Sequence, residues 1–367
     1  MKTLNYFLAI LFAFVLFSCE DDEPNPEPNP NPEPVVIGNS AYIINYGSYN
    51  GAKSEISVYD LDSNTISHDA YKGANGVEFS SNIQSVAVVD TIAYFMSNDG
   101  DKIDMVSAKS LKAIGNPVSE GITKPRYMVA KDGFAYISCW GEVISWAAME
   151  NSYIAKMNLS TKEITPIKIP GGPEGVIIVG NKLYAGLTAK KKIAVIDLSS
   201  NEVSYINTPA IPQHFIVDGD KNLWVSLVST YTVPCSADSL GLAQIDTDNA
   251  TIKSKVNIPG MGSAGNIQVS PSYKTIYALC KEAWPGTKSS IMTFDIATSK
   301  VSASAFIEGE HFNGFNINPS SGDIFVCISP GATTTGSIQI YDEAGKLKDN
   351  KEVGTAPLST VFYSFEK

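Results

Sequence analysis

Hydrophobic and polar positions alternate in short runs along most of the chain, and the pattern is clearest over residues 172–206. Four strands are predicted there: Glu174–Val179, Leu183–Leu187, Ile193–Asp197 and Val203–Ile206. A tight Gly180-Asn181 turn joins the first two, a lysine-rich turn follows, and Ser199-Ser200-Asn201 leads to the last. Runs of this length, split by Gly, Asn and Ser, signal antiparallel strands.

The unit recurs. Its third strand, Ile193–Asp197, has counterparts at Ile56–Asp60, Ile103–Ser107, Ile154–Asn158, Leu242–Asp246, Ile291–Asp295 and Ile338–Asp342, seven copies in all. Each second strand carries an aromatic marker: Tyr42, Tyr94, Tyr136, Tyr184, Trp224, Tyr277 and Phe325. The markers stand roughly 40 to 53 residues apart, the period of four-stranded propeller blades. The predicted fold is therefore all-β: a seven-bladed β-propeller of four-stranded blades. Blade one lacks a first strand at the N-terminus, and residues 356–363 match the first-strand pattern with no blade to follow. The last strand is predicted to complete the first blade, which removes two exposed sheet edges. The Asp that closes most third strands is predicted to accept a backbone N–H two residues on and so fix the next turn. Ser107 and Asn158 fill the same place.

The front of the chain breaks the pattern. Lys2 precedes an apolar run, Phe7–Phe17, too short to span a bilayer and of the length of a secretory core. Leu16-Phe17-Ser18-Cys19 resembles a bacterial lipobox, which implies a signal peptide over 1–18 and lipid on Cys19. Glu20–Glu23 resembles the acidic export signal of surface lipoproteins in Bacteroidota. Proline then occupies every second position from Pro24 to Pro34, an extended tether of about 30 Å. Residues 19–35 are read as tether and 36–367 as the propeller. The location this implies is the outer membrane, held by lipid alone and facing the cell exterior.

The net charge of -11 argues against nucleic acid, whose phosphates require clustered Lys and Arg. Cys139, Cys235, Cys280 and Cys327 show no C-x-x-C spacing, so a zinc site is not indicated. A Cys235–Cys280 bridge and four buried free thiols are both open.

From Val36 onward the third strand and its turn resemble the YVTN/YncE-like propeller repeat. Ala41–Asn45, Lys124–Tyr127 and the lipoprotein front end resemble propeller lipoproteins of Bacteroidota. That resemblance extends to BtuG-type proteins, and it implies capture of cobalamin at the surface beside an outer-membrane transporter. Where those relatives commonly carry Asn-Glu-Gly, this chain has Asn45-Tyr46-Gly47.

Strand order places the start of every inner strand and the loop after every second strand on one face. The residue ten before each marker, shifted by one where a hairpin is longer, gives a ring of Gln84, Arg126, Glu174, His214, Asn266 and Gly314, with Leu358 from the closing strand. These residues solvate a channel mouth or bind a ligand there. Loops on that face carry Tyr46, Tyr49, Trp140, Trp146, Tyr231 and Trp284. Such aromatics either pack over neighbouring blades or offer stacking area with a polar edge. The expected partner is a small molecule, with no cofactor and no metal. Catalytic motifs are poor: there are three histidines, and no His-Glu-x-x-His, nucleophile elbow or phosphate loop. The chain is read as a binding protein rather than an enzyme. A scaffold for another surface protein, and a lyase using Glu174 and His214 from adjacent blades, are the alternatives.

Overall fold

The structure, a computed structural model, describes residues 39–48, 51, 53–258, 260–283 and 285–364. The signal segment, Cys19 and the tether lie outside these residues. Seven antiparallel sheets follow one another along the chain. Blade four is the plainest: Pro173–Val179, Lys182–Leu187, Lys192–Asp197 and Val203–Asn207 pair in sequence order. Val179 sits opposite Lys182, as a two-residue turn at Gly180-Asn181 requires.

The ring closes as expected. Pro357–Ser364 pairs with Asn39–Asn45 in antiparallel register, Ala41 opposite Phe362 and Ile43 opposite Thr360. Two further bonds, Tyr46 N–H to the Ala356 carbonyl and Gly47 N–H to the Thr355 carbonyl, each 3.0 Å, extend the join. The Tyr42 and Tyr363 rings meet at 4.2 Å across it.

The aromatic markers are buried in every blade, because this strand lies inside its sheet and faces the next. Trp224 meets Phe294 of the following blade at 5.3 Å, and Phe325 meets Tyr59 of blade one at 5.6 Å. The core is thus a series of apolar layers between blades rather than one centre.

The turn chemistry is also as expected. Asp197 Oδ1 accepts the N–H groups of Ser199 and Ser200 at 2.9 and 3.0 Å, and Asp60, Asn158, Asp246 and Asp342 act alike. Hydrogen bonds within these turns hold three of the carboxylates below their ordinary pKa, led by the Ser63 N–H on Asp60, the Ser200 N–H on Asp197 and the Asn249 side-chain amide on Asp246. Asp218-Gly219-Asp220 is a hairpin turn: Asp218 Oδ1 accepts N–H groups of Asp220 and Asn222, and Oδ2 accepts the Trp224 indole N–H at 2.8 Å.

Two blades depart from four regular strands at the outer edge. In blade two the outer place is held by two bridges, Ile103–Val118 and Val106–Ala113. In blade six it is split into Lys300–Val301 and Ile307–Glu310. A short helix, Ala70–Asn75, joins blades one and two. Among the described residues no disulfide joins Cys139, Cys235, Cys280 or Cys327, so Cys235 and Cys280 are not bridged.

Candidate ligand site at the channel mouth

The ring residues are set by one repeated irregularity. In blade three the register jumps from Pro125–Cys139 to Met128–Ile137, leaving Arg126 and Tyr127 opposite Ser138 alone. Blade four skips Glu174 and Gly175, blade five Gln213 and His214, blade two Gln84, blade seven Asn313, and the closing strand Leu358. A bulge of this kind re-aims side chains and leaves backbone groups without ladder partners. The opposing residue supplies the missing partner. Tyr127 N–H donates to Ser138 Oγ at 3.0 Å, and His214 N–H to Ser226 Oγ at 3.0 Å. Ser138 Oγ in turn reaches the Glu174 carbonyl of the next blade at 2.7 Å.

The bulged strands crowd the axis. A Cβ on Gly175 would stand 2.3 Å from the Gln213 carbonyl oxygen, and one on Gly314 would stand 2.1 Å from that of Leu358. Gly314 therefore serves close approach, as glycine does where backbones meet.

Three ring residues form one connected group. Arg126 donates from Nε and Nη2 to the two Glu174 oxygens at 3.0 and 2.7 Å, and from Nη1 to Gln84 Oε1 at 2.6 Å. The Arg126 and Glu174 side chains are 12% and 8% exposed. Burial works against the guanidinium charge, but Glu174 outweighs it and holds the Arg126 pKa above its ordinary value. Trp140, from the blade-three loop, lies over Arg126 with the guanidinium carbon 3.8 Å from the ring centroid. Its indole N–H is buried with no partner among the described residues. Trp146 meets Trp140 edge-on at 5.7 Å and remains 56% exposed, beside the exposed Ile144. The loop aromatics of blade three thus continue the ring outward.

Below the mouth lies a channel cavity of about 360 Å³, lined by Gln84, Tyr127, His214, Asn266, Asn313, Asn316 and Leu358 among others. Tyr127 and His214 face each other edge-on at 5.0 Å. Burial, reinforced by Glu174, pushes the Tyr127 phenol up to about 12, with Arg126 and a hydrogen bond with Gln84 opposing. Burial lowers the His214 pKa, against the pull of Glu174, so the imidazole is neutral at neutral pH. Asn266 Oδ1 accepts the Phe315 N–H of blade seven at 2.8 Å, and Asn316 Oδ1 accepts that of Thr360 at 2.8 Å. Asn266 therefore ties two inner strands together at the position where the sequence suggests a ligand contact.

The remaining aromatics are dispersed. The Tyr46 hydroxyl donates to Asp99 at 3.3 Å on the blade-two side. Tyr231 is fully exposed in the blade-five loop. Tyr49 and Trp284 lie outside the described residues. A wider cleft of about 650 Å³ opens beside the blade-six hairpin, lined by Lys281, Glu282, Lys288, Glu308 and Glu310. Among the described residues its lining is charged rather than aromatic and includes none of the ring residues, so the smaller cavity is the better candidate.

Tyr127 is a site residue that the sequence reading does not include. A bulge turns two consecutive residues inward, whereas counting back from the marker selects one per blade. The signal was present as an aromatic directly after a ring arginine.

Solved structures share this fold at low identity. A putative 6-phosphogluconolactonase from Bacteroides fragilis superposes with a TM-score of 0.63 at 12% identity, covering 92% of this chain and 100% of that one. A quinonprotein alcohol dehydrogenase-like protein from Bacteroides thetaiotaomicron gives 0.62 at 14%, covering 89% and 78%. The periplasmic gluconolactonase of Pseudomonas aeruginosa gives 0.61 at 12%, covering 89% and 99%. No curated protein matches the sequence. Residues 39–362, all seven blades, match the family described as Domain of unknown function (DUF5074), and the chain belongs to that family.

Proposed function

We propose that this protein binds a small molecule over the channel mouth and does not transform it. The supporting observation is the stack of Trp140 on Arg126, continued outward by exposed Trp146, above a polar cavity. Exposed aromatics beside convergent amides and a buried donor without a partner suit a ligand with a broad apolar face and polar edges. Glu174, the one ring carboxylate, is engaged by Arg126 on both oxygens, a poor arrangement for the base of a lyase.

Cobalamin, or another corrinoid, is the leading ligand by resemblance. Its macrocycle offers area for aromatic packing, and its amide side chains need polar partners such as Gln84 and Asn266. The proposed setting is the outer surface of the outer membrane, with lipid on Cys19 as anchor and an outer-membrane transporter as recipient. Purified protein, screened with corrinoids, glycans and haem, should gain thermal stability from the ligand that binds, corrinoids foremost, by RT ln(1 + [L]/Kd). With the ligand in hand, Trp146→Ala or Trp284→Ala should cost about 2 kcal/mol or more of binding by calorimetry if either is an anchor, and His214→Ala less. Unchanged affinity in all three would place the site elsewhere. Cys19→Ala should release the protein from the membrane fraction. Replacing Glu20–Glu23 with Ala should leave it lipidated but shielded from protease on intact cells.

A further inference from the structure

We infer that Glu174 is a built-in anion that occupies the cation site of Arg126, so that the mouth selects ligands uncharged where they meet the ring. The biological meaning of this selection rests on the binding reading above. The chemistry rests on the ring itself.

An arginine at a channel mouth ordinarily offers a carboxylate or phosphate a planar, bidentate fork. Here that fork is taken by Glu174, from the same ring position of the next blade, at 2.7 and 3.0 Å. A third donor goes to Gln84 at 2.6 Å, and one face of the guanidinium is covered by Trp140 at 3.8 Å. Both members of the pair are nearly buried, so water does not screen the match. Among the described residues that line the cavity none is a lysine or arginine, Tyr127 and His214 are neutral near pH 7, and Asp99 stands at the Tyr46 hydroxyl. The chain as a whole carries -11. What the mouth presents is an aromatic face beside amide and hydroxyl groups. The ligand class that fits is a neutral molecule with a flat apolar face and an amide or hydroxyl rim. A corrinoid with intact amides and an uncharged saccharide share that chemistry.

The test compares wild type with Glu174→Gln, an isosteric change that leaves Arg126 without its counter-charge. Phenylacetate and phenylacetamide serve as a matched anionic and neutral pair, measured by ligand-observed NMR titration. Phenylacetate should bind the variant at least tenfold more tightly than wild type, with phenylacetamide little changed. The variant should melt lower than wild type, and formate should restore its melting temperature in a saturable way while leaving wild type unmoved. Arg126→Gln/Glu174→Gln should show no such rescue. If Glu174→Gln alone does not fold, its refolding yield against formate concentration reads the same quantity. Equal phenylacetate affinity in wild type and variant, or no anion response in the variant by melting or refolding, overturns the assignment. On wild type, cyanocobalamin against its monocarboxylate, and methyl glucoside against methyl glucuronide, then distinguish the two sources of ligand. Tighter binding of the neutral member supports the selection, and preference for the anionic member overturns it. Failure of every neutral ligand, with the anion response of the variant intact, counts against the binding reading and leaves the role of Glu174 standing.

Discussion

Arg126 concentrates the energetics of the mouth. Removing it strands Glu174, 8% exposed, without its counter-charge. Breaking one side of a buried pair costs about 3–5 kcal/mol, whereas replacing both sides by apolar groups is often close to neutral. Arg126→Met should therefore destabilise by about that amount in urea unfolding, and Arg126→Met/Glu174→Met by clearly less. A double variant as unstable as the single would show that the pair contributes through packing alone. His214 gives a pH dependence of defined sign. Burial lowers its folded pKa below the ordinary value of about 6.5, so below that pH the unfolded chain binds a proton that the folded chain does not. Stability from this group is complete above about pH 6.5 and is lost as the pH falls toward the folded pKa. In His214→Gln the melting temperature should fall less between pH 7.5 and 5.5 than in wild type. Equal slopes would show that other groups dominate this window.

The bulge is the element that decides the site. Strand alternation predicts a regular inner strand, and the structure has one residue too many at the top of most of them. Ser138 holds one such bulge by accepting from Tyr127 and donating across to the Glu174 carbonyl. Ser138→Ala removes both bonds at a fully buried position and should cost about 1–3 kcal/mol. Arg126 and Glu174 flank those bonds, so ligand affinity should fall as well. Ser204→Ala, on the exposed face of an outer strand, is the control and should change neither. If Ser138→Ala matches the control in both measurements, the serine is not what holds the bulge. Strand positions were legible because each is a local pattern with a local turn. The bulges were not, because nothing in the alternation distinguishes an extra residue within a strand from one in the preceding loop. The outer edge of blade two was missed for a related reason: it is held by two isolated bridges, which no run of alternating residues announces.

At the scale of the molecule the ring depends on its last strand. Pro357–Ser364 packs against both blade one and blade seven, and without it Asn39–Asn45 has an unpaired edge. A chain ending at Ala356 should lose cooperative unfolding or aggregate, read by circular dichroism and size-exclusion chromatography. A monomeric truncation that melts like wild type would contradict closure. The sequence by itself determined the number of blades, the closing strand and the turn-capping residues. Each of these depends on residues close along the chain or on a pattern repeated seven times. It also placed Gln84, Arg126, Glu174 and His214 near one mouth, since strand direction alone sends strand starts to one face. Only the tertiary structure decided how they pair. Arg126 reaches Glu174 and Gln84, each more than 40 residues away. That choice depends on distances between blades set by bulges and by glycines at the axis, which no single blade encodes.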